Sequence, residues 1–309
     1  MKKIIVFLLL SLPFLAGAQE RLSPKHYRAY SVKLEKEVPL QAIIDEMATY
    51  DVLFFGEEHS DSVGHYLEDT IFRMMHTAYL GKTVLSLEMF DRDVQFIMNE
   101  YLGGFTREKT FKKDARAWKN YSNYRPMVEF AKTNKLPVIC ANAPGRYSNL
   151  AGRKGQKALM DLPKAARPWM APLPYDTASG DYYKKLMGES GHTTDTAKPD
   201  TAKPKAPIFM GEFNLVMAQS LWDATMAYSI ASFCKKHKGV KVFQVNGNFH
   251  SDEGFAVVTQ LKKYGSRLKP LIISCVDNEC FYDLNWKDIP KTGDYLIMTD
   301  PNIKKTYEE

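Results

Sequence analysis

Asp51-Val52-Leu53-Phe54-Phe55-Gly56-Glu57-Glu58-His59 is the stretch on which the fold of this chain turns. A short apolar run breaks at a glycine, and two carboxylates and a histidine follow at once. A continuous run of that length reads as a strand buried on both faces, as in parallel sheets covered by helices. The same unit recurs along the chain. Thr83-Val84-Leu85-Ser86-Leu87, Leu136 to Cys140, Val240 to Val245, Leu271 to Cys275 and Tyr295-Leu296-Ile297-Met298 are further runs of this kind. Helical spacing separates them at 40–50, 61–80, 91–102, 125–134, 212–237 and 252–264. The alternation predicts an α/β fold: a mostly parallel sheet flanked by helices.

Two regions depart from it. Residues 20–38 are polar and read as a surface arm, with His26 facing solvent. Residues 144–208 carry Pro163, Pro168, Pro172 and Pro174, several aromatics and a helical stretch near 155–161. They also hold a tandem repeat at 195–204, Asp-Thr-Ala-Lys-Pro written twice. Such a tract cannot bury apolar surface and reads as a flexible loop. The expectation is a helical and loop cap inserted at 144–208 in one α/β domain spanning 19–309.

The N-terminus has a different character. Met1-Lys2-Lys3, an apolar run from Ile4 to Phe14, and Ala16-Gly17-Ala18 before Gln19 make up a secretory signal peptide over residues 1–18. That run is too short to span a bilayer, and no other reaches about 18 apolar residues, so no transmembrane segment is expected. Losing Lys2 and Lys3 takes the net charge from +6 to +4. With no clustered basic run, that balance gives no footprint for nucleic acid. At 45% hydrophobic content over 309 residues, wholesale disorder is excluded and a large core is affordable without staples. Export permits disulfides, and a local Cys275–Cys280 bridge fits the spacing, with Cys140 and Cys234 as buried thiols.

In open parallel sheets, ligands bind beyond the carboxyl ends of the strands. The first strand runs into Gly56-Glu57-Glu58-His59, with Asp61 and His65 close behind; the second ends in Glu88, and the third in Ala141-Asn142. Val240 to Val245 leads into Asn246-Gly247-Asn248-Phe249-His250. Two Gly-x-x-His turns and a carboxylate therefore fall at one rim. On this reading the glycines supply backbone angles closed to other residues, so that each histidine projects over the rim. His59, Glu88 and His250 could ligate a divalent metal such as zinc, manganese or cobalt, with Glu57 or Glu58 as general base of a hydrolase. They could instead line a pocket for an anionic cofactor. Arg125, beginning a helix with Pro126, could point at an anion, and Gln219 shares a helix face with Asp223.

These residues carry a resemblance. Phe54 to His59 and His65, Leu87-Glu88-Met89-Phe90 with Gln95, Tyr124-Arg125-Pro126, Ala141-Asn142-Ala143-Pro144, Ala218 to Ala227 and Gly247-Asn248-Phe249-His250 stand in order from about 50 to 255. In this pattern the chain resembles the ChaN-like haem-binding uptake proteins, a group that includes Tiki-type metalloproteases and resembles the erythromycin-esterase fold. The resemblance implies an α/β fold with a cap, haem as cofactor, and a role in iron acquisition at the bacterial cell envelope. It implies tyrosine ligation of the iron, with haems held as a cofacial pair in a homodimer. Carried over, it makes Tyr183 the preferred ligand, Tyr182 the second choice and His192 a later partner, with Arg125, Asn142 and Gln219 near the cofactor. Many members are anchored by a lipidated cysteine after Leu-Ala-Gly; here Ala18 follows Leu15-Ala16-Gly17, which favours a free periplasmic or secreted protein. The residues leave catalysis open. Haem carriage is the first reading, and a metal-dependent hydrolase or protease using the His/Glu/His rim is the alternative.

Overall fold

The computed structural model describes residues 22–188, 209–210 and 213–307. The expected signal peptide, His192 and the repeat at 195–204 lie outside these residues. Strand β1 (Tyr27–Ser31), β2 (Lys36–Glu37) and helix α1 (Leu40–Glu46) precede β3 (Val52–Glu57), the strand quoted above. Then come α2 (Ser62–Ala78), β4 (Thr83–Asp91), α3 (Gln95–Leu102), α4 (Glu108–Asp114), α5 (Tyr121–Thr133) and β5 (Val138–Asn142). Helices α6 (Gly145–Lys154) and α7 (Gly180–Leu186) lead to a small hairpin, β6 (Phe209–Met210) and β7 (Phe213–Asn214). The chain closes with α8 (Leu215–Lys236), β8 (Lys241–Gly247), α9 (Ala256–Tyr264), β9 (Pro270–Asp277) and β10 (Tyr295–Thr299).

The main sheet has eight strands in the order β2-β1-β10-β9-β3-β8-β4-β5. From β10 to β5 every pairing is parallel, while β1 runs antiparallel to both β10 and β2. The six apolar runs are the six parallel strands, as the alternation predicts. The polar arm is different. It supplies β1, whose Tyr27 to Ser31 pair with Thr299 to Tyr295, and His26 is buried with Nδ1 accepting from the Ser23 amide over 3.1 Å.

Pleating sends alternate side chains to opposite faces. Leu53, Phe55, Leu85, Leu87, Phe243 and Val245 pack under α1, α2, α3 and α5 with Ile44, Phe72, Met98 and Met127. Val52, Phe54, Val84 and Val242 face α8 and α9, against Met226, Ile230, Val257 and Leu261. A third cluster joins α6 and the segment 159–175 to α8, through Tyr147, Leu159, Met170, Tyr175 and Leu221. Both faces are thus covered, as continuous apolar strands require.

The thiols do not bridge. Cys275 lies within β9 and is buried in the first cluster, Cys280 follows the strand end, and all four cysteines are free. Helix α5 begins at Tyr121, so Pro126 sits inside it rather than at its start.

Candidate functional site

β3, β8 and β4 are neighbours in the sheet, so their carboxyl ends deliver Glu57, the 247–250 turn and Glu88 side by side. The two turns meet directly: Asn248 Nδ2 donates to Glu58 Oε1 over 2.6 Å. Glycine is needed there for room. A Cβ at Gly56 would lie 2.8 Å from Ser251 Oγ and 2.9 Å from Asn248 Cα, and one at Gly247 would lie 3.1 Å from His59 Nε2. Gly247 has φ −52°, an angle open to any residue, so close approach and not backbone freedom is what excludes a side chain.

The histidines of the two turns are held by carboxylates from different layers. Glu57 shares the pleat face of Leu53 and Phe55 and is buried against the α2 and α5 side. Its Oε1 receives His59 Nδ1–H over 2.7 Å and the Tyr124 hydroxyl of α5 over 2.7 Å. Its Oε2 lies 3.3 Å from His65 Nδ1, which also donates to Glu68 Oε2 over 3.1 Å, while His65 Nε2 donates to the His59 carbonyl over 3.0 Å. On the α8 side, His250 Nδ1–H donates to Asp223 Oδ1 over 2.6 Å, and Tyr182 donates to Asp223 Oδ2 over 2.7 Å. Glu88 stands between the halves: its Oε2 accepts the Gly247 amide over 2.8 Å, and its Oε1 lies 3.4 Å from His250 Nε2.

The charges follow from this wiring. Burial opposes a charge on His65, but the Glu68 and Glu57 carboxylates outweigh it and push its pKa up to about 11. The same contest, with Glu88 and Asp223 as the winning partners, brings His250 to about 9. Burial opposes charge on Glu57 too, yet hydrogen bonds from Glu68, His59 and His65 hold it below the usual carboxylate range. Burial and the neighbouring Glu57 charge raise Glu68 well above that range, against the opposing pull of His65. Burial, then Asp223, holds the Tyr182 phenol in its protonated form.

For a metal, the expected trio is not what the fold draws closest. Among the described residues, the donors within 4.8 Å of one another are those of Glu57, His65 and Glu68. All three are buried, and His65 Nδ1 stands between the two carboxylates, 3.1 Å from Glu68 Oε2 and 3.3 Å from Glu57 Oε2. His59 remains the open group of the rim, with 31% of its side chain exposed and the Trp118 ring packed edge-on 5.5 Å away.

The other expected residues scatter. Arg125 is exposed and forks onto Glu108, Nε to Oε1 over 2.6 Å and Nη2 to Oε2 over 3.0 Å, with no rim residue in reach of its hydrogen bonds. Asn142 turns its Oδ1 onto the next amide, that of Ala143, and serves the end of β5. Gln219 Oε1 is buried without a partner among the described residues. Gln95 caps the sheet edge: its Nε2 donates to the Val138 carbonyl and its Oε1 accepts the Cys140 amide, each over 2.8 Å. Tyr183, on α7, is 41% exposed, whereas Tyr182 is buried. Tyr183 borders a hollow of about 210 Å³ walled by Leu186, Met187, Leu215, Val216 and Met217. Sequence reasoning missed Tyr124, although its place on the stripe Tyr121, Tyr124, Met127, Val128, Ala131 marks it as the inward residue of Tyr124-Arg125-Pro126.

A protein of solved structure shares this architecture. ChaN of Campylobacter jejuni, whose structure is described as showing cofacial haem binding, aligns with 90% of this chain and 98% of its own at 16% identity and a TM-score of 0.64. A Bacillus cereus protein of solved structure aligns with 85% of this chain and 92% of its own, at 11% identity and a TM-score of 0.44. No curated protein matches the sequence. Residues 43–261 match the family described as haem-binding uptake, Tiki superfamily, ChaN. The match spans the rim, both histidine turns and α8, and the chain belongs to that family.

Proposed function

We propose that this protein binds haem for haem or iron uptake, and that residues 1–18 export it to the periplasm or outside the cell. The observation that carries the reading is the contrast between Tyr182 and Tyr183. The first is buried and held protonated against Asp223; the second presents its phenol at the surface beside an apolar hollow. An exposed phenol can ionise and ligate ferric haem as phenolate, the chemistry that haem iron supplies at such a site. Tyr183 would hold the iron, and Met187, Val216 and Met217 would floor the macrocycle.

The hollow is smaller than the range of about 300–1,000 Å³ in which small molecules are enclosed. A flat macrocycle would therefore lie across it with one face open. A second copy bringing its own haem would cover that face, which favours a homodimer around a cofacial pair.

Haemin titration of residues 19–309, followed by visible absorbance, tests the reading. A saturable Soret shift at a defined ratio is expected, with the mass of the protein doubling on loading if the haems pair. No saturable shift would overturn haem binding, and a saturated monomer would overturn the pairing.

A further inference from the structure

Asp91-Arg92-Asp93 begins on the last residue of β4, and its three charges go different ways. Asp91 Oδ2 takes Arg116 Nη2 over 2.8 Å, and Asp93 takes both Arg116 and Arg146, the latter over 2.6 Å. Arg92 turns away from all of them. Its Nε donates to the Pro168 carbonyl and its Nη1 to Ser229 Oγ, each over 2.7 Å, and its guanidinium lies 5.1 Å above the Tyr228 ring. Both acceptors are neutral. Burial pulls the Arg92 pKa down, and no carboxylate among the described residues forms an ion pair with it.

Two of the five guanidinium N–H groups are accounted for by those bonds, which tie the 164–169 turn to α8. Arg92 also borders a cavity of about 340 Å³ between α3, the edge of β5 and α8. Trp169, Ser232, Phe233, Lys236 and His237 also line it, and no lining residue is acidic. His237 stacks on Phe233, with centroids 4.3 Å apart, giving the cavity a flat aromatic wall. A half-buried cation without a counter-charge, beside a second cation and aromatic surfaces, is arranged for an anion with an apolar body.

We propose that this cavity is a binding site for a small organic oxyanion, a carboxylate or phosphate carried on a flat apolar group. Arg92 and Lys236 take the charge, and Trp169 and Phe233 hold the body. The volume falls at the low end of the range of about 300–1,000 Å³ for ligand sites, which fits a ligand of one or two rings. The site is independent of haem.

Benzoate, phenyl phosphate and benzyl alcohol, titrated separately into residues 19–309, test it by calorimetry and by the NMR shift of the Trp169 indole N–H, assigned with Trp169→Phe. At least one of the two anions is expected to saturate and move that signal; which one does so distinguishes carboxylate from phosphate. Arg92→Gln is expected to weaken binding about tenfold, the scale of one lost charge-assisted hydrogen bond. Lys236→Ala, on the exposed end of α8, is expected to weaken it about threefold with thermal unfolding unchanged. If Arg92→Gln does not fold, Lys236→Ala carries the test. The proposal is overturned if neither anion binds, if benzyl alcohol binds as tightly, or if the variants that fold keep wild-type affinity.

Discussion

Tyr182 and Asp223 are joined by a 2.7 Å hydrogen bond in which the phenol donates, and this bond divides the labour between two adjacent tyrosines. Tyr182 is tied inward, which leaves Tyr183 as the phenol available to an external ligand.

In the haem-loaded protein, Tyr183→Phe is expected to lose the tyrosinate charge-transfer band and weaken binding, while Tyr182→Phe keeps the band. Tyr182→Phe should instead lower stability by about 1–3 kcal/mol, because a buried Asp223 oxygen loses its donor. His59→Ala is expected to disturb the spectrum less than Tyr183→Phe. Absorbance spectra of the three variants check this, and an unchanged Tyr183→Phe spectrum would sink the assignment.

Tyr124→Phe removes one of the donors to Glu57 without altering packing volume. A cost of about 1–3 kcal/mol in urea unfolding is expected, since a buried carboxylate oxygen is deprived of a partner. NMR of the His59 ring should register the change as well, because His59 hangs on the same oxygen.

Stability should fall at alkaline pH. His65 and His250 both have folded pKa values above that of free histidine, about 11 and about 9. Their contribution is complete below about pH 6.5 and is lost as pH rises through the folded values. For His250, the window runs from about 6.5 to about 9 and carries on the order of 3 kcal/mol. Thermal unfolding from pH 6 to 10 should show the decline, and His250→Gln should flatten its first part. A profile identical to wild type in that variant would contradict the assignment.

Gly56→Ala places a methyl group within 2.9 Å of the Asn248 backbone, which cannot swing aside as a side-chain tip can. Overpacking of this kind costs about 1–3 kcal/mol. Calorimetry is expected to show a lower Tm, with the two histidine turns displaced in the NMR spectrum.

Gln95→Ala strips the amide that covers Val138 and Cys140 on the outermost parallel strand. Exposed edge groups recruit other strands. The variant is expected to aggregate faster on mild heating, measured by light scattering, with little change in the haem spectrum.

The six parallel strands were legible because each is apolar on both faces, so that short runs stand out from any polar context. Tyr27 to Ser31 was not: its pairing partner, Tyr295 to Thr299, lies at the other end of the chain, and its composition resembles a loop. At the rim, Glu57, His59, Glu88 and His250 were readable from their places after strands. Tyr124 and Asp223 were harder, because they come from helices whose inward face only tertiary packing decides. Tyr124 and Arg125 show how narrow the margin is. One residue along a helix turns the side chain by about 100°, and the neighbour of the buried phenol becomes a surface arginine. The glycines were correctly placed for the wrong reason, since the constraint is close approach, of the Asn248 backbone at Gly56 and of the His59 ring at Gly247, rather than their own torsion angles.

The rim histidines report to different parts of the molecule. His59 is moored through Glu57 to α5, and His250 through Asp223 to α8 and, by way of Tyr182, to α7. A displacement of α7 that broke the tyrosine bond would reach His250 across a single carboxylate, and His59 only at one further remove, through the contact between the two turns. The α7 surface is thus wired first to one half of the rim and through it to the other.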